Sequence, residues 1–253
     1  CRRPDDGRKM ATVGAKCDRK TTWGSTMKTV LALVFAAFFT LGAQQAMAER
    51  PKVLVIGDSL LATHSLTGRS VADYLSSYLG APVTDRSAIG AMMIYRLPIT
   101  GALGMSIPAQ YRDGDWDWVV VNGAGNDLWL TCGCGPCRRK MDRLISPSGT
   151  AGEIPKLLAR IHRTGARIVY VGYMRSPDIA TPIERCKTVG DTLERRVATL
   201  ADKVPNIHYL SLENMIPPGD LSYLAPDRIH PSPKASRAIA ERIARLIVYG
   251  QGA

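Results

Sequence analysis

The chain has 253 residues, room for one sizeable domain plus extensions, and its 45% apolar and 22% charged content suits a globular protein with a full core. The formal charge of +11 is uneven: residues 1–26 hold seven Lys/Arg against three Asp, and from Glu49 onward 25 Lys/Arg against 19 Asp/Glu leave +6. The later cations are scattered and lack aromatic interleaving, which excludes a nucleic-acid track and reads as solvated surface.

Residues 1–26 open on Cys1 and show no apolar periodicity; they read as upstream sequence translated ahead of a start at Met27. Lys28, the apolar run Thr29 to Ala43 and Ala46-Met47-Ala48 are the charged, apolar and A-x-A regions of a secretory signal peptide, 27–48. The run is short for a span of about 20 residues. Cleavage after Ala48 is therefore expected, giving a periplasmic or secreted domain, 49–253, with no stable membrane span.

Val53, Leu54, Val55 and Ile56 form an unbroken apolar run, the pattern of a strand buried on both faces, and Gly57-Asp58-Ser59 follow where the chain must turn. Ser70 to Leu79 reads as a helix with Val71, Tyr74, Leu75 and Tyr78 on one face and Gly80 at its stop. Pro82 to Thr84 is a short second strand, followed by the loop Ser87-Ala88-Ile89-Gly90. Ala91 to Gly114 is irregular with a short helix. Trp118 to Val121 is a third strand, leading into Asn122-Gly123-Ala124-Gly125-Asn126-Asp127. A helix over Ile154 to Ile161, a strand over Arg167 to Tyr173, the longest helix over Glu184 to Asp202, a strand over Ile207 to Leu210 and a helix over Pro231 to Val248 complete the chain. Five strands separated by helices predict one three-layer α/β/α sandwich. No dinucleotide or Walker glycine pattern follows a strand, so no cofactor is expected.

The candidate chemistry lies after the strands, where open α/β sheets bind ligands. Ser59 is a candidate nucleophile. Asp227 and His230 stand three apart in a proline-bounded loop before the last helix, so the carboxylate can fix the imidazole tautomer and leave Nε2 as a general base. Oxyanion donors are the Gly90 N–H and the Asn126 amide. Each element alone is a common turn or cap; the order Ser, Gly, Asn, Asp/His after successive strands is much less common.

These blocks resemble the SGNH hydrolases, the GDSL esterases and lipases: Gly57-Asp58-Ser59-Leu60, then Gly90, then Ala124-Gly125-Asn126-Asp127, then Asp227-Arg228-Ile229-His230. The likeness covers about Lys52 to Val248. One departure stands out: the family's third block is usually Gly-x-Asn-Asp, and here the glycine is displaced by one. The resemblance implies a flavodoxin-like fold with parallel strand order 2-1-3-4-5 and a metal-free carboxylic ester hydrolase. It implies Ser59 as nucleophile, His230 as base and Asp227 as its partner, with the oxyanion held by Ser59 N–H, Gly90 N–H and Asn126. A small acyl or acetyl ester of a small molecule, lipid or envelope glycan is the expected substrate. Oligomeric state is not readable.

From Glu49 onward there are four cysteines, Cys132, Cys134, Cys137 and Cys186. In an exported protein they read as two disulfides, with Cys186 joined to one of the cluster and the bridges pinning loops over Ser59. Two other readings are open. Four thiolates suit a structural zinc, and Cys134-Gly135-Pro136-Cys137 has the spacing of a thiol-disulfide oxidoreductase. A catalytically inactive binding module is a third alternative. His64, five residues after Ser59, is a candidate pocket residue; Met92, Met93, Ile94, Tyr95 and Leu97 read first as core packing, with an acyl wall as the alternative. His162 reads as a solvated helix residue and His208 as a packed or edge residue of the fifth strand.

Overall fold

The computed structural model describes residues 50–250, so the signal-peptide and upstream readings of residues 1–48 lie outside the described residues. Val53–Ile56 (β1) is buried at all four positions, as its unbroken apolar run requires. With Val83–Asp85 (β2), Trp118–Val121 (β3), Arg167–Val171 (β4) and Ile207–Leu210 (β5) it forms a parallel sheet in the order β2-β1-β3-β4-β5, the order expected above. Ile56 lies beside Val121 and Val121 beside Tyr170, so β1, β3 and β4 end level with one another. The segments that follow them therefore emerge side by side along one edge of the sheet.

Among the described residues the helices packed on the two faces are α1 (Ser59–Ala62), α2 (Val71–Leu79), α3 (Gly125–Cys132), α4 (Arg138–Leu144), α5 (Glu153–His162), α6 (Lys187–Ala201) and α7 (Pro233–Tyr249). The strands alternate between two cores. Val53, Val55, Val120 and Val169 face α1, α2 and α7, while Leu54, Ile56, Val119, Val121 and Ile168 face α3 to α6. Each such fully buried aliphatic side chain contributes about 1.5–3 kcal/mol. Among the described residues no helix is long and apolar enough to cross a membrane.

Several expectations shift. β2 starts one residue later than its apolar pattern suggested, since Pro82 cannot donate to the ladder. The inward face of α2 is Val71, Ala72 and Leu75; Tyr78 is 45% exposed, and Tyr74 lies at the flank under the Arg237 guanidinium. The longest helix among the described residues is α7, with 17 residues, because the helix expected over Glu184 to Asp202 opens with a separate turn at Glu184–Cys186 and runs 15 residues from Lys187. The irregular stretch Ala91 to Gly114 contains short helical turns at Pro98–Thr100, Gly101–Met105 and Ile107–Gln110.

Candidate active site

Ser59 opens α1 at the end of β1. The Asp58 side chain caps the helix, accepting Leu60 N–H at 3.0 Å. The turn leaves no room for a side chain at Gly57, where a Cβ would meet the Asn122 carbonyl at 2.9 Å. Gln110, 1% exposed, grips that peptide from both ends: its Oε1 accepts Gly57 N–H at 2.7 Å and its Nε2 donates to Gly57 O at 3.0 Å. The Gln110 contact was not legible in the sequence, because 53 residues separate the partners.

Asp227 and His230 form the expected pair. Asp227 Oδ1 accepts the backbone N–H groups of Ile229 and His230 at 2.9 and 3.0 Å, and Oδ2 lies 2.6 Å from His230 Nδ1. Partial burial opposes Asp227 ionisation, but the bonds from the His230 ring and these N–H groups outweigh it and hold the carboxyl below the usual carboxylate range. Nδ1 is thus engaged, and among the described residues Nε2 makes no hydrogen bond. His230 and Ser59 share the wall of one cavity, with no direct hydrogen bond between them in this structure. His64 is absent from that wall; its Nε2 lies 3.0 Å from the Pro231 carbonyl and braces the loop that carries His230.

The remaining candidates meet through backbone. Gly90, with φ of 79°, sits in the turn closed by Ala91 N–H to Ala88 O, a conformation that favours glycine. Asn126 Nδ2 donates to Ala91 O at 2.9 Å, which spends one of its two protons and joins the Asn126 amide to the Gly90 loop. Asn126 lines the cavity with Ser59 and His230, whereas Gly90 is not among the lining residues. Asp127, fully buried, accepts Met93 N–H at 2.7 Å and Ile94 N–H at 2.8 Å and so fixes the segment after Gly90. Burial raises the Asp127 pKa, partly offset by those two bonds.

The cavity holds about 270 Å³ and is lined chiefly by apolar groups, among them Leu60, Leu128, Trp129, Met174, Ile183 and Val189. The segment after Gly90 does not line the cavity: Met93 is packed in the core, the reading favoured from sequence, and Leu97 is 63% exposed. The structure joins Cys132 to Cys137 and Cys134 to Cys186, so the Cys134/Cys137 pair does not close on itself and all four sulfurs are paired. Cys134 and Cys186 line the cavity, and their bridge ties the end of α3 to the start of α6 across it.

The displaced glycine is also accounted for. Ala124 takes the left-handed conformation, φ 81°, two residues before Asn126, where a glycine would sit more easily. Gly125 has no space for a Cβ, which would fall 2.7 Å from the Tyr173 ring.

A family model described as the GDSL-like lipase/acylhydrolase family matches residues 55–238. No curated protein sequence matches the chain. Among solved structures, a protein of Slackia heliotrinireducens assigned to the SGNH hydrolases is 20% identical, with 79% of this chain and 100% of that one covered and a TM-score of 0.55. A lipolytic protein of the G-D-S-L family from Desulfitobacterium hafniense is 13% identical, covering 78% and 99%, at 0.54. A family two carbohydrate esterase from Clostridium thermocellum, in complex with cellohexaose, is 18% identical, covering 79% and 65%, at 0.52. At these identities the likeness is one of fold.

Proposed function

The chain belongs to the GDSL-like lipase/acylhydrolase family and is a carboxylic ester hydrolase, and from that premise we propose that it acts through an acyl-enzyme on Ser59. Ser59 Oγ attacks the ester carbonyl as His230 Nε2 takes its proton. The resulting oxyanion is met by the Ser59 and Gly90 N–H groups and the free proton of the Asn126 amide. His230 then protonates the departing alcohol, leaving an acyl-serine. Water, deprotonated by His230, attacks that ester and restores Ser59 and the free acid. Asp227 stays ionised throughout and stabilises the imidazolium.

The observation that carries this reading is the Asp227–His230 pair at 2.6 Å, whose His230 lies on the same cavity wall as Ser59 and Asn126. The apolar lining supports a hydrophobic acyl group; the acetyl ester expected from sequence would leave most of the cavity unfilled. Export through the leader at 27–48 is supported by the two disulfides, which persist in oxidising compartments. Reaction with a fluorophosphonate probe, followed by peptide mass spectrometry, tests the assignment. The label is expected on Ser59 and nowhere else, and a label on another serine would remove Ser59 from this role.

A further inference from the structure

We propose that Tyr173 is a positioning residue whose hydroxyl fastens the nucleophile turn to the helix that carries Asn126. The inference rests on the reading of Ser59 and Asn126 just given. Tyr173 Oη donates to Asp58 Oδ2 at 2.5 Å and accepts Gly125 N–H at 2.7 Å. Asp58 directly precedes Ser59 and caps its helix; Gly125 directly precedes Asn126. One oxygen atom thus links the Asp58 carboxylate to the Gly125 backbone, next to the two groups that must converge on a single carbonyl.

Three further observations support this assignment. The Tyr173 backbone is itself held: its N–H donates to Glu194 Oε1 at 2.8 Å, and Arg175 Nη1 donates to its carbonyl at 2.7 Å. Glu194 is buried and further tied by Tyr209 at 2.5 Å and by Arg175, so the ring hangs from a fixed point on α6. Second, the only position open to Gly125 is glycine, since the Tyr173 ring and hydroxyl fill the space of its Cβ at 2.7–2.9 Å. The glycine displaced from Ala124 to Gly125 is the trace of this contact in the sequence. Third, the proton order is set. Burial, and then the Asp58 charge, keeps the Tyr173 phenol protonated, so it is the donor.

Burial raises the Asp58 carboxyl to about 6, and the Tyr173 hydrogen bond opposes that rise. The other titratable groups acting with Asp58 are Asp127 of α3, which raises it further, His230 of the loop before α7, which lowers it, and Tyr170 of β4, a neutral phenol at working pH. Loss of the Tyr173 hydroxyl therefore moves Asp58 to a higher pKa and frees both its carboxylate and the Gly125 N–H.

The test compares wild type, Tyr173→Phe and Tyr209→Phe in the full chain. Tyr209→Phe removes another hydrogen-bonded hydroxyl from Glu194 while leaving Asp58 and Gly125 untouched. Carbon-13 titration of the Asp58 carboxyl reads the link without any turnover: the midpoint is expected to rise in Tyr173→Phe and to stay in Tyr209→Phe. An unchanged midpoint in Tyr173→Phe would overturn the proposal. With a p-nitrophenyl ester, Tyr173→Phe is expected to lose about 10- to 100-fold in kcat, with KM within about twofold. Equal kcat losses in the two variants would also overturn it, because the role would then be general support. Wild-type protein without esterase activity would count against the proposed function alone, and the titration would still decide the link.

Discussion

Replacing Asp58 by Asn is expected to stabilise the protein at neutral pH while impairing it as an enzyme. Asp58 is 2% exposed, and burial lifts its carboxyl from an ordinary 3.8 to about 6 against the bonds from Tyr173 and Leu60. The sign follows from proton counts. Between these two values the folded state holds a proton that the unfolded state has lost, so the stability of the native protein falls as pH rises through that window. At 1.36 kcal/mol per pKa unit the difference amounts to about 3 kcal/mol, fully developed above pH 7 and absent below pH 4. Asparagine fills the same space, still accepts from Leu60, and carries no charge to desolvate. Urea unfolding with disulfides intact is therefore expected to give Asp58→Asn a gain of about 3 kcal/mol at pH 8 that shrinks toward zero at pH 4. A gain independent of pH, or a loss at pH 8 matching the loss at pH 4, would refute the reasoning.

Two other perturbations address the site and its frame. Asn126→Ala should cut kcat about a hundredfold or more with little change in KM, because it removes one oxyanion donor worth about 3–4 kcal/mol of barrier; steady-state kinetics checks both numbers. The Cys134–Cys186 bridge spans 52 residues of sequence and the Cys132–Cys137 bridge five. By loop entropy the first should contribute about 4 kcal/mol and the second about 2 kcal/mol, so Cys134→Ser/Cys186→Ser should lower Tm more than Cys132→Ser/Cys137→Ser. Intact-mass analysis of exported protein that finds four free thiols would remove both bridges.

The parts of this molecule legible in the sequence are those written in contiguous residues. β1 and β3 are unbroken apolar runs, and their fully buried setting asks for nothing else. Asp227 and His230 are three apart and meet within one turn. The unread parts join distant residues through buried polar groups. Gln110 grips Gly57 across 53 residues, Asp127 fixes Met93 and Ile94 across more than 30, and Tyr173 reaches Asp58 across 115. No local periodicity encodes such pairs. The one local sign was the displaced glycine at Gly125, which registers a ring packed against it from another strand's end. The cavity wall was not legible for the same reason: Leu128 follows β3 while Met174 and Ile183 follow β4, and only the sheet edge brings them together.

The central claim is that Ser59 carries the acyl group. Hydrolysis of p-nitrophenyl esters from acetyl through dodecanoyl, by the protein and its Ser59→Ala variant, tests it most directly. The account predicts turnover that the variant loses, with a chain-length optimum beyond acetyl set by the apolar cavity. Hydrolysis that survives undiminished in Ser59→Ala would contradict it.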